Sequence, residues 1–142
     1  MNMPVSFKYQ ISSFKVKNQK LLINWFLTVA FLENKEIEKI DFVFCNDEFL
    51  LMLNEKFLKH KTFTDILTFD DSTKREISAE VYISIPRVKE NAAYFKVGFI
   101  DELHRVMIHG LLHCCGYGDK SEKEKKRIRR KEDEYLRLLY QL

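Results

Sequence analysis

A chain of 142 residues, 32% charged and 46% hydrophobic, has the length and balance of one globular domain with a buried core. It holds no run of about 18 apolar residues, which excludes a membrane-spanning helix, and its first twenty residues lack the apolar centre of a signal peptide. A net charge of +3 is too small to establish a nucleic-acid partner, and three cysteines (Cys45, Cys114, Cys115) point to reduced thiols rather than a disulfide framework. Val5 to Ile11 alternates loosely and reads as a strand. Asn18 is positioned to cap a helix to about Asn34, with Leu21, Leu22, Trp25, Phe26 and Val29 at helical spacing. Ile40–Cys45 is a β-rich run stopped by Asn46-Asp47, which caps a second helix carrying Leu50, Leu53, Phe57 and Leu58.

Thr64–Phe69 and Glu80–Ile85 read as two further strands. Pro86 suits the first turn of a helix through about Lys96. Phe99 to Cys115 reads as a long apolar helix that stops at Gly116. Ser121, with Glu124 three residues on, opens a last helix through a capping box. The order β-α-β-α-β-β-α-α-α predicts an α+β fold, with a central mixed sheet of about four strands packed with about five helices. Two prolines, four glycines and no repeat predict a single domain over residues 1–142.

The chemistry concentrates in HGLLHCCGYGD, residues 109–119. His109 and His113 lie four apart, on one face of a helix, so both can reach one metal ion. Gly116 and Gly118 allow the chain to turn back and bring Asp119 to the same point. Two imidazoles and a carboxylate leave a coordination position open for water, the pattern of a catalytic rather than a closed structural site. The same histidine pair also suits helix packing, and Asp119 also suits the cap of the last helix. Cys114 and Cys115 point elsewhere on the helix and read as small core residues. His104, about 140° round the helix from His109, reads as structural or exposed. His60 falls in a loop-like stretch.

HGLLHCCGYGD resembles the H-G-x-L-H-L-x-G-Y-D-H motif of the YbeY-type endoribonucleases, the rRNA maturation factor family. Leu53-Asn54 with Thr64–Phe69 resembles that family's L-N…T-D-V-L-S-F segment, and Glu80–Ser84 is similar to its G-D-I-x-I strand. The resemblance implies a metal-dependent, single-strand-specific endoribonuclease acting in 16S rRNA 3′-end maturation and ribosome quality control. It implies a zincin-like metal helix and one divalent ion per chain, most readily Zn2+, held by His109, His113 and Asp119. It further implies a cytoplasmic protein whose partners are single-stranded rRNA and ribosomal particles, with no membrane. Three positions depart from the family pattern. Asp119 stands where the family has a third histidine, which preserves a ligand and alters its charge. Leu58 stands where the family has an arginine, with Lys59 and Lys61 nearby. Glu80 stands where aspartate is usual.

The position that carries the catalytic glutamate in H-E-x-x-H peptidases is Gly110, so no peptidase activity is expected. Residues 120–131 carry eight Lys/Arg against two Glu, a flank suited to phosphates, although Glu132, Asp133 and Glu134 follow at once and equally suit a solvated face. The candidate RNA contacts are Lys59, Lys61, Lys126, Arg127 and Arg130. Phe42, Phe44 and Phe69 sit at core spacing rather than as stacking platforms. The rival readings are a metallohydrolase of a peptide or small phosphoester, a two-histidine-one-carboxylate iron oxygenase, and a non-catalytic ribosome-binding factor with a structural metal.

Overall fold

The computed structural model describes residues 3–59 and 62–142. Its elements run β1 (Val5–Tyr9), α1 (Gln19–Leu32), β2 (Glu36–Cys45), α2 (Asp47–Leu58), β3 (Ile66–Asp70), β4 (Glu76–Ser84), α3 (Ile85–Phe95), α4 (Phe99–Cys114) and α5 (Glu122–Leu139). This is the expected order and an α+β fold. The sheet runs β1-β2-β4-β3, with β1, β2 and β4 parallel and β3 antiparallel to β4. Parallel strands are covered on both faces, and β2 accordingly buries six residues in succession, Ile40 through Cys45. The polar member of that run, Asp41, is engaged by Lys8 at 3.2 Å and Lys39 at 3.4 Å.

Both β2 and β4 begin upstream of their apolar runs. There Glu36 pairs with Glu76 and Lys39 with Ser78, at an end of the sheet where polar side chains stay in water. The helix caps follow the sequence with one correction. Asn46 accepts from Phe49 N at 2.8 Å, and Ser84 accepts from Arg87 N at 3.2 Å with Pro86 in the first turn. Asn18 does not cap α1 through its side chain. Its backbone is left-handed (φ 58°, ψ 45°), a conformation asparagine tolerates, and this turns the amide away from the helix N–H groups.

The core lies between the sheet and helices α1 and α4, around Trp25, Phe26, Phe42 and Met107. At Gly110, α4 packs directly against the sheet. A Cβ there would lie 3.0 Å from Val81 Cγ1 and 3.1 Å from Ile66 Cδ1. The glycine thus serves strand side chains, not the approach of a substrate. Gly110→Glu is therefore expected to destabilise the fold by about 1–3 kcal/mol or more through overpacking, without creating peptidase activity. Thermal denaturation beside a generic peptide-cleavage assay checks both parts. A stable, peptide-cleaving variant would contradict them.

Candidate metal centre

Helix α4 is buried over most of its surface from Glu102 to Cys114, and His109 and His113, one turn apart, are half-buried within it. The helix ends as Gly116 takes φ +104°, a conformation open to glycine, and Tyr117 N returns to Leu112 O at 3.1 Å. At Gly118 a Cβ would run into the Glu124 carboxylate. Glu124 is fixed by the capping box, in which Glu124 N donates to Ser121 Oγ at 3.1 Å and Ser121 N to Glu124 Oε1 at 3.0 Å. This short turn carries Asp119 back over the histidines. Ser121, not Asp119, is the cap of α5.

Three donor atoms then converge. His109 Nε2 and His113 Nε2 are 2.9 Å apart, and Asp119 Oδ2 lies 3.4 Å from the first and 3.2 Å from the second. A tetrahedral ion with bonds of roughly 2.0–2.1 Å has ligand-to-ligand edges of about 3.4 Å, so this triangle is the right size for one ion. The far sides of the rings give a second test. His113 Nδ1 lies 2.8 Å from Tyr117 O, and His109 Nδ1 lies 2.5 Å from Glu132 Oε2. Both partners are acceptors, which assigns the imidazole protons to Nδ1. Both Nε2 atoms and a carboxylate oxygen therefore face one point, and a cation or a shared proton there offsets their mutual repulsion.

Glu132 escaped the sequence reading, where it stands in an acidic run behind a basic one. It is 3% exposed and is also reached by Arg105 Nη1 at 3.0 Å, while Arg105 Nη2 holds Asp133 at 2.7 Å. Arg105 is one turn before His109 on α4, so the two α4 side chains share a carboxylate from α5. Burial works against a charged imidazole at His109, but the Glu132 hydrogen bond and charge outweigh it and raise the pKa above the ordinary histidine value.

His109 and Asp119 open onto a cavity of about 400 Å³. Asp65, Glu102, Lys125 and Arg129 line it further. Burial raises the carboxyl pKa of Asp65, and burial with the nearby Asp65 charge raises that of Glu102, so both hold a proton more readily than exposed carboxylates. Neither stands out in the sequence. Asp65 is one letter of a strand motif, and Glu102 looks like a first-turn acid of α4.

The remaining sequence candidates fall elsewhere. Lys126 and Arg130 line an adjoining groove on α5 rather than the cavity, which takes Lys125 and Arg129 from the same helix. Arg127 lies over the Tyr117 ring at 5.0 Å. Lys59 is the exposed left-handed residue that ends α2, next to half-exposed Leu58. Lys61 and His60 lie outside the described residues. Cys114 is buried and Cys115 half-buried, and burial pushes both thiols up to about 12, so neither supplies a thiolate. His104 stands edge-on to Trp25 at 6.1 Å, and burial lowers its pKa. Glu80 is exposed on β4, between Asp41 and Phe69 in the sheet. No helix among the described residues is long and apolar enough to cross a membrane.

A family model described as Endoribonuclease YbeY matches residues 6–140. A Flavobacterium psychrophilum protein named Endoribonuclease YbeY is 48% identical over 136 residues, covering 96% of each chain. A Flavobacterium johnsoniae protein of the same name is 39% identical, over 96% of this chain and 97% of its own. The solution structure of TM1509 from Thermotoga maritima superposes with a TM-score of 0.65 at 26% identity, over 96% of this chain and 89% of that one.

Proposed function

This chain belongs to the endoribonuclease YbeY family, and from that membership and the geometry above we propose a metal-dependent endoribonuclease specific for single-stranded RNA. Its place is 16S rRNA 3′-end maturation and ribosome quality control, in the cytoplasm and with ribosomal particles as partners. Residues 1–142 form one endoribonuclease domain. His109, His113 and Asp119 hold one divalent ion, and Zn2+, which takes both imidazole and carboxylate donors, is the ion proposed. The observation that carries this reading is the convergence of the three donor atoms while both Nδ1 protons are committed to Glu132 and Tyr117 O.

When bound, the ion supplies Lewis acidity toward a phosphoryl oxygen and acidifies water. The chain's own residues do the rest. Glu132 fixes the tautomer and tilt of His109, and Arg105 holds Glu132 in place. Lys125 and Arg129 present positive charge where the RNA backbone and the developing negative charge would lie. Asp65 and Glu102, inclined to keep a proton, are the carboxyls in the cavity suited to protonate a leaving oxygen. Asn91 Nδ2 donates to Asp65 Oδ2 at 3.3 Å, which favours the carboxylate and offsets part of the rise that burial causes. The cluster opens on the cavity, and no fourth protein ligand joins the three among the described residues. That arrangement favours catalysis over a purely structural metal.

The deciding experiment is cleavage of a single-stranded rRNA fragment with and without chelator. Hydrolysis is expected to stop when metal is stripped and to return when it is added back. Cleavage that survives exhaustive chelation would overturn the metal-dependent reading.

A further inference from the structure

The cavity beside the metal cluster continues into a second depression of about 280 Å³, and Phe95, Glu102, Arg105 and Arg129 line both. Phe95 is the last residue of α3 and is 54% exposed. Its ring meets that of exposed Tyr94 edge-to-face, at 5.1 Å between centroids. Phe95 forms a wall shared by the cavity of His109 and Asp119 and by the next space outward. Its backbone is held where α3 stops, at Lys96 (φ 59°), whose N–H returns to Ala92 O and Ala93 O.

Basic side chains of α5 line the same space, together with the acids Asp65, Glu102 and Glu132. Lys125 and Arg129 are one turn apart on α5 and both line the cavity. Arg137, two turns beyond Arg129, lines the outer depression with it. Asp133 interrupts the row, but Arg105 Nη2 engages it at 2.7 Å and offsets its charge. An aromatic ring that shares a groove with basic side chains can seat a nucleobase and its phosphate.

We propose that this groove seats an unpaired nucleotide adjoining the cleaved phosphate, with its base stacked on Phe95 and its phosphate held by Arg129. The proposal rests on the endoribonuclease reading of the metal cluster and adds the origin of its strand preference. In a duplex both faces of a base are covered by its neighbours, so Phe95 takes only a base that has left the stack. Stacking reads a π-face rather than base edges, so the site is tolerant of sequence.

The test uses a short single-stranded RNA and the metal-loaded protein. Phe95→Ala is expected to raise KM roughly tenfold, with kcat changed by no more than about twofold, because a ground-state and transition-state contact is lost together. Phe95→Trp is expected to keep KM. Its fluorescence should be quenched by the single strand under chelation, against the background of fully buried Trp25. Phe31→Ala, 77% exposed and outside both linings, is expected to change nothing. The discriminating substrate carries one abasic nucleotide, moved along the strand. At one position the Phe95→Ala penalty should disappear, which a merely structural role for the ring would not produce. An unchanged KM in Phe95→Ala, or a penalty that persists at every abasic position, would refute the platform. Absence of cleavage by the wild-type protein, with quenching of Phe95→Trp intact, would instead refute the nuclease reading and leave the platform standing.

Discussion

Asp119→Ala is expected to leave a folded chain that neither retains a divalent ion nor cleaves RNA. Asp119 supplies the carboxylate oxygen at 3.2–3.4 Å from the two Nε2 atoms, and two histidines alone hold an ion loosely. The substitution is a clean probe because Asp119 has little structural duty. Its side chain is 44% exposed, and the cap of α5 is the Ser121–Glu124 box. The stability change should therefore fall well below the ~1 kcal/mol typical of a lost cap. Asp119→His is expected to retain the ion with altered turnover, since a neutral donor replaces an anion and leaves the metal charge less offset. Bound metal per chain, read beside the melting temperature, checks both variants. Full metal occupancy in Asp119→Ala would remove Asp119 from the ligand set.

Glu132→Ala is expected to weaken metal binding by roughly 10–100-fold although Glu132 is not itself a proposed ligand. Its carboxylate accepts from His109 Nδ1 and from Arg105 Nη1, and the alanine leaves the ring free to change tautomer and tilt. A stability loss of about 1–3 kcal/mol should accompany it, because Arg105 keeps Asp133 but loses a buried partner. Glu132→Gln separates the two effects. Its amide oxygen still accepts from Nδ1, so the ring stays oriented and most of the metal affinity should remain. Competition with a chelator of known affinity measures this series. Wild-type affinity in folded Glu132→Ala would mean that the ring is oriented without it.

The fold was largely legible because its signals are local. Asn46 and Ser121 each accept from a backbone N–H three residues on, Pro86 sits in the first turn of α3, and Gly116 adopts the positive φ that a helix stop invites. The upstream ends of β2 and β4 were not legible, since Glu36–Lys39 and Glu76–Ser78 are set by pairing with each other and carry no apolar alternation. The same division runs through the site. His109, His113 and Asp119 fall within eleven residues, and the turn between them is written in glycines. Glu132 reaches His109 across 23 positions, a contact decided by how α5 lies on α4. The choice of Lys125 and Arg129 over their neighbours Lys126 and Arg130 is likewise a matter of helix rotation, which a basic run does not reveal.

The late position of Glu132 orders events during synthesis. Chains emerge from the N-terminus, at roughly 5–20 residues per second, and both histidines are made before any of α5. Until α5 docks, His109 lacks the acceptor for its Nδ1 proton, and the buried Trp25 indole lacks the Tyr135 carbonyl that it donates to at 2.8 Å, 110 positions along the chain. A nascent chain that ends in α4 thus has neither an oriented imidazole nor a closed core. Orientation of His109 and closure of the core around Trp25 both wait for the last helix.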